Sequence, residues 1–220
     1  MMSDIQISDK LISFLTFLPF FFISLAVHES AHALVASRKG DNTAKNLGRL
    51  TLNPIKHIDL FGSLLMPFMA FASGFALIGW AKPVPVDRRN FRNPLIDDAY
   101  VSAAGPFSNF ALSILFFLLF VLITKIPFEM GYKDTLVNML WFGVYFNIFL
   151  FLFNLLPIPP LDGSHILYDL FPNRFTASLL NLGFYGSLIL ILFIYSPLWK
   201  YFFSLINAFM NGFLFIGGYK

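Results

Sequence analysis

Six apolar runs, each close to the length needed to cross a lipid bilayer, most constrain what this sequence can fold into. A transmembrane helix needs about 20 predominantly apolar residues. The runs cover about 11–37, 58–80, 99–124, 136–156, 175–195 and 198–216. With 57% hydrophobic and only 12% charged residues, the chain carries more apolar surface than a soluble fold can bury. We therefore predict a single all-α polytopic membrane domain over residues 1–220, with a core at about 11–170 and C-terminal helices at about 175–216.

Basic residues between the runs predict the topology. Cytoplasmic loops of membrane proteins carry an excess of Lys and Arg. In this chain the loop after the first run contains Arg38, Lys39, Lys45, Arg49 and Lys56, and the loop after the second run contains Lys82, Arg88, Arg89 and Arg92. If both loops are cytoplasmic, the second run must enter and leave on one side, as a re-entrant hairpin broken at Pro67, Gly74 and Gly79. We predict about five transmembrane helices plus this hairpin; the alternative is that 58–80 is an ordinary spanning helix.

The segment 81–87 follows the hairpin and reads Ala-Lys-Pro-Val-Pro-Val-Asp. Its two prolines exclude a regular helix. We predict a short extended segment, with an edge strand as one form it could take.

Composition also limits the partners and the metal ligands. The chain has no Cys, so disulfides and thiolate metal sites are excluded and any metal must use His, Asp or Glu. The net charge is +3, but the basic residues lie in loops beside apolar runs and indicate topology rather than nucleic-acid binding.

His28-Glu29-x-x-His32 is the strongest chemical signal in the chain. Residues i and i+4 lie on one helix face, about 6 Å apart along the axis, so two imidazoles can share one Zn²⁺ and the Glu can act as a general base. The alternative is a chance match or polar residues facing another helix. A charge at the bilayer centre costs at least about 2.5–3.5 kcal/mol, which favours the functional interpretation.

Catalytic zinc usually has three protein ligands, so a third must come from elsewhere. Asp162 is the best candidate, because it directly follows the fourth run in a Pro-rich break that ends at Gly163. Both this break and the His pair are predicted near the cytoplasmic side. Asp162 could instead be a helix cap or turn residue.

Together, these motifs resemble the site-2 protease family of intramembrane zinc metalloproteases, in particular its small bacterial and archaeal members without PDZ or CBS domains. The resemblance covers about 27–167. It rests on the His28 motif and on four further stretches: Asn154-x-x-Pro157-x-Pro159-x-x-Asp162-Gly163, Ala104-Gly105-Pro106-Phe107-Ser108-Asn109, Asn53-Pro54 to Pro67, and Gly79-Trp80-Ala81-Lys82-Pro83-Val84-Pro85-Val86.

The resemblance implies roles for the matching residues. His28, His32 and Asp162 would ligate one zinc ion, Glu29 would activate water and protonate the leaving amine, and Asn154 would lie near the metal and assist catalysis. The substrate would be a transmembrane protein or peptide, cut in or near its membrane segment. The enzyme would be integral to a prokaryotic cell membrane, with its active site toward the cytoplasm.

Other polar residues carry weaker signals. Asn109 could support the site or simply join helices by hydrogen bonds. His57 is expected to be structural or interfacial, and His165 a surface residue in the turn rather than a partner of Asp162. Gly105-Pro106 is expected to serve packing or a kink.

Two other functions fit parts of the pattern. A metal transporter could use the same His and Asp residues, although a transport path usually has ligands at several depths. An inactive relative could bind membrane proteins without cutting them, although such a protein would be expected to lack Glu29.

We also hypothesise that the segment 82–86 pairs with an unwound substrate by strand addition.

Overall fold

Every regular element that the structure describes is helical, as predicted. The computed structural model describes residues 2–73, 79–127 and 131–219. Its α-helices are α1 (Met2–Lys39), α2 (Thr43–Asn46), α3 (Met66–Ser73), α4 (Pro94–Lys125), α5 (Lys133–Asn154), α6 (Asp162–Leu170), α7 (Arg174–Leu180), α8 (Phe184–Ile194) and α9 (Trp199–Gly217). A π-helix (Leu60–Leu65) and two 3₁₀ turns (Pro54–Lys56 and Arg88–Asn90) complete the set.

Three of the described helices are long and apolar enough to cross a membrane: Phe14–Lys39, Pro94–Lys125 and Lys133–Asn154. The predicted fifth run is not one straight helix, because α7 and α8 meet at an angle of 86°. Gly183, at this break, has φ +53°, a conformation that glycine adopts without strain. Counting the bent pair as one span gives four, so the predicted number of five spanning helices is not confirmed.

The described parts of the second apolar run contact each other. It begins with the π-helix and α3, and the break at Gly74 lies outside the described residues. Its two ends meet, because the Trp80 N–H donates to the Gly62 carbonyl at 3.1 Å and the Ser63 hydroxyl donates to the Trp80 carbonyl at 2.7 Å. A straight helix over 58–80 would separate these residues by about 27 Å. The contact fits the predicted hairpin, although membrane entry itself stays a prediction.

The apolar core joins α1, α4, α5 and α9. Aromatic rings dominate it, including Phe20 from α1, Phe116 and Phe120 from α4, and Phe202 from α9. Gly143 on α5 permits close packing here, because a Cβ at this position would lie 2.6 Å from the Phe20 ring. This bundle fixes α4 and α5 against α1, the helix that carries the His28 motif.

The segment 81–87 is outside regular structure, as its prolines require. It forms no strand, so the suggested edge strand is not present here. The segment lies across the C-terminal half of α1 and continues into the 3₁₀ turn at Arg88–Asn90, which precedes α4.

Candidate metal centre

His28, His32 and Asp162 come together as the sequence predicts. The two His residues lie one turn apart on α1, and their Nε2 atoms are 3.0 Å from each other. Asp162, the first residue of α6, brings its Oδ2 to 3.2 Å from the His28 Nε2 and 3.5 Å from the His32 Nε2. Among the residues described, these three form the one His/Asp/Glu group arranged to hold a metal ion.

Hydrogen bonds at the far side of each ring fix the orientation of the two imidazoles. The His28 Nδ1 lies 2.6 Å from the Asn109 Oδ1, and the His32 Nδ1 lies 2.7 Å from the Val101 carbonyl. Both oxygens are acceptors, so each Nδ1 carries the proton. Both Nε2 lone pairs therefore face Asp162, which is the tautomer that a metal ligand needs.

Asn109 belongs to a buried amide network that determines which way it points. Its Nδ2 donates to the Ser24 carbonyl at 3.2 Å and to the Asn147 Oδ1 at 2.9 Å. Asn147 in turn donates to the Ser24 hydroxyl at 2.9 Å. The network joins α1, α4 and α5 and leaves the Asn109 oxygen facing His28. Asn109 therefore combines the two alternatives: it contacts His28 and it joins helices by hydrogen bonds.

The donor set fits zinc in chemistry and in spacing. Two lone pairs and a carboxylate oxygen repel one another unless a cation lies between them, and the buried Asp162 Oδ2 has no hydrogen-bond donor. With bonds of about 2.0–2.2 Å, two ligands of a tetrahedral zinc lie about 3.3–3.6 Å apart. The three observed separations are 3.0, 3.2 and 3.5 Å.

Two glycines make room for this arrangement. A Cβ at Gly105 on α4 would lie within 2.6 Å of the Nε2 atoms of both His28 and His32. A Cβ at Gly163 would overlap the carbonyl oxygens of Leu155 and Leu156, where the chain turns from α5 into α6. The sequence assigned Gly105 to packing in general; the structure shows that it clears space for the imidazoles.

Glu29 lies between the two His residues in sequence and is buried, with 9% of its surface exposed. Its Oε2 accepts a hydrogen bond from the Val84 backbone N–H at 2.9 Å. This contact could not be predicted from the sequence, because it joins α1 to a loop 55 residues away.

Asn154 lies at the last turn of α5 and is half-buried. Its Nδ2 donates to the Leu150 carbonyl at 3.0 Å, within its own helix. It is not part of the His28–His32–Asp162 group, so its part in catalysis stays a prediction.

His57 occupies a structural position. It is fully buried, and its Nε2 lies 2.8 Å from the Thr51 carbonyl.

His165 belongs to a second polar cluster, which sequence reasoning missed. Arg88 forms ion pairs with Asp98 on α4 and, at 3.1 Å, with Asp169 on α6. The His165 Nδ1 lies 3.6 Å from Asp98. Burial, together with the charge of Asp98, raises the pKa of Asp169 to about 7. This cluster ties α6, whose first residue is Asp162, to α4.

Comparison with known proteins identifies the family. The model of peptidase family M50 matches residues 16–135 and 121–194. YwhC of Bacillus subtilis, named as a zinc metalloprotease, is 42% identical over 193 residues, which cover 85% of this chain and 85% of YwhC. Rip2 of Mycolicibacterium smegmatis, named likewise, is 31% identical over 195 residues, 86% of this chain and 70% of Rip2.

A shorter match is found in an archaeon: MJ0611 of Methanocaldococcus jannaschii, also named as a zinc metalloprotease, is 37% identical over 71 residues, 32% of this chain and 34% of MJ0611. No solved structure matches the chain. The family match covers most of the sequence and includes all three residues of the candidate metal centre. The chain therefore belongs to peptidase family M50, which confirms the metalloprotease family that its motifs predicted.

Proposed function

We propose that this protein is an intramembrane zinc metalloprotease that hydrolyses peptide bonds in or near the transmembrane segments of other membrane proteins. One observation carries the proposal: His28, His32 and Asp162 converge, with Glu29 beside them, on a helix apolar enough to span a membrane. An ionisable cluster inside an apolar helix is energetically costly, and such clusters in membrane helices mark functional sites. Membership of peptidase family M50 supplies the reaction class.

In this proposal His28, His32 and Asp162 hold one zinc ion through their Nε2 and Oδ2 atoms. Zinc bound there would acidify water and polarise the scissile carbonyl. Asn109 and the Val101 carbonyl keep the two imidazoles in the tautomer required for this.

Glu29 moves the proton. Its Oε2 is occupied by the Val84 N–H, which leaves Oε1 to take a proton from the attacking water. As the carbon–nitrogen bond breaks, the same oxygen returns the proton to the leaving amine nitrogen. Asn154 donates one of its two Nδ2 hydrogens to the Leu150 carbonyl. The second hydrogen would stabilise the negative charge that develops on the scissile carbonyl oxygen of the substrate.

The depth of the site supports cleavage within the membrane. His32 lies seven residues before the end of α1, so it is about 10 Å along the helix from Lys39. The loops on that side carry the basic residues that favour the cytoplasm. We infer a site inside the apolar layer but toward the cytoplasmic face of a prokaryotic membrane, with lipid and a membrane-embedded substrate as its partners.

A transport function has weaker support. A path for ions needs ligands at successive depths, and the described residues contain a single group that could hold a metal. The inactive-relative alternative is disfavoured because Glu29 is present, next to His28 in the sequence.

The test uses purified protein in lipid nanodiscs and a transmembrane peptide of Leu and Ala with a central Gly pair, labelled with a fluorophore and a quencher. Glycine makes local unwinding of the peptide easy. We expect cleavage by the wild type, loss of cleavage with one zinc retained in Glu29→Gln, and loss of both in Asp162→Ala. Cleavage by Glu29→Gln at the wild-type rate would remove Glu29 as the general base.

A further inference from the structure

Residues 80–90, which we call the strap, are fastened to the protein on both sides of Glu29. At one end the Lys82 N–H donates to the His57 carbonyl at 2.9 Å. At the other end the Asp87 N–H and the Asn90 Nδ2 each donate to Asp41 at 2.8 Å. The strap is therefore held at fixed points at each end of the stretch that passes Glu29.

Charged side chains hold these fastenings in place. Asp41 is fully buried just beyond the end of α1. Burial disfavours its charged form, but hydrogen bonds from Thr43, the Asp87 N–H and Asn90 hold its pKa below the ordinary value. The buried Arg49 donates to the Lys82 carbonyl. Hydrogen bonds to charged groups are stronger than those between neutral groups, so Asp41 and Arg49 hold the two ends of the strap.

The sequence of the strap leaves one backbone donor at its centre. Proline has no N–H, so between Lys82 and Val86 the residue with a backbone N–H is Val84, placed between Pro83 and Pro85. That N–H is the one bonded to the Glu29 Oε2, at 2.9 Å. Pro85, the residue that follows, also restricts Val84 to extended backbone, which limits how the N–H can turn away.

We propose that the Val84 backbone N–H is the positioning group for the general base. It fixes one carboxylate oxygen of Glu29 and directs the other toward the water to be activated. The inference rests on the proposed function, in which Glu29 is that base. Val84 is thus a positioning residue that acts through its main chain, and no side-chain truncation would reveal it.

The experiment removes the Val84 N–H in two chemically different ways. Val84→Pro deletes the donor at a position already restricted to extended backbone, and Val84→Ala is the matched control that keeps the N–H but loses the side chain. A third protein carries the α-hydroxy analogue of valine at position 84, which replaces the N–H by an ester oxygen. This third protein decides the question if the proline variant fails to fold.

The measurements are kcat, KM, zinc content and melting temperature with the labelled Leu/Ala peptide. Hydrogen bonds to charged groups are strong enough that we expect kcat to fall about tenfold to a hundredfold in the proline and ester variants. We expect KM, zinc content and melting temperature to hold, and Val84→Ala to keep most of the wild-type kcat. A purely structural strap would instead lower the melting temperature or the zinc content of the ester protein.

Each other outcome is decisive. Wild-type kcat in the ester variant would overturn the proposal and leave the proposed function intact. A higher kcat would overturn it too, because the contact would then restrain the base rather than position it. Equal losses of kcat in Val84→Ala and the ester variant would assign the effect to the side chain. If the wild type itself cut no peptide, the proposed function would fail first.

Discussion

Gly105→Ala should disable metal binding through a single added methyl group. A Cβ there would lie 2.6 Å from the His28 Nε2 and closer still to the His32 Nε2, whereas real Cβ contacts essentially never fall below 3.0 Å. The His28 ring must therefore retreat by at least about 0.4 Å, and the ligand distances of a metal site tolerate only about 0.2 Å. The rings cannot simply turn, because Asn109 and the Val101 carbonyl hold their far sides.

We expect zinc affinity to fall by about a hundredfold or more, since disturbing even the partners of ligands costs 10–100-fold. Competition with a chelator of known affinity measures it on purified protein, and circular dichroism checks that the helices remain. Gly212→Ala on α9 is the matched control, because nothing lies within 4 Å of its added Cβ. Wild-type zinc affinity in Gly105→Ala would mean that the metal is not held where the two Nε2 atoms converge.

Four further changes test other parts of the site and fold. Asn109→Leu removes the acceptor for the His28 Nδ1, and chelator competition should show zinc affinity about 10–100-fold lower; an unchanged affinity would make Asn109 a helix-joining residue alone. Asn154→Leu should lower peptide turnover by about a hundredfold with zinc content and melting temperature unchanged. A lower melting temperature with normal activity per folded molecule would instead place Asn154 in the scaffold. Single cysteines at Asn46 and Arg92, both exposed, should be labelled from the same side of the membrane; labelling from opposite sides would refute the hairpin at 58–80. Folding raises the pKa of Asp169 from 3.8 to about 7. The protonated Asp169 side chain therefore contributes stability that is fully present below pH 3.8 and is lost as the pH rises through about 7. Asp169→Asn should therefore show a melting temperature less dependent on pH between about 4 and 8 than that of the wild type, and equal pH dependence would contradict the raised pKa.

The metal group could be predicted because much of its geometry is local. His28 and His32 meet on any regular helix, so their four-residue spacing was sufficient. Asp162 needed a second inference, that the break after α5 lies at the same depth as the His pair. The structure brings all three together.

The supporting contacts could not be predicted, because they join residues distant in sequence. The hydrogen bond from Val84 to Glu29 is made by a backbone N–H, which every residue but proline has, so residue type gave no signal. The Arg88 cluster joins a loop to two helices. The bend between α7 and α8 was missed for a different reason: Gly183 lies within a predominantly apolar run, where an isolated glycine is a weak break signal.

The hydrogen bond that orients His28 and the hydrogen bond that holds Glu29 come from different parts of the chain. The amide network that orients His28 joins α1, α4 and α5 and makes no hydrogen bond to the strap. The strap contacts Glu29 through its main chain. The hypothesis of strand addition is constrained by the same contacts, because the Lys82 and Val84 N–H groups are already bonded inward and Pro83 and Pro85 offer no N–H outward. A substrate that pairs between Lys82 and Pro85 must therefore supply the hydrogen-bond donors itself, and it would lie along the part of the chain that holds the Glu29 carboxylate.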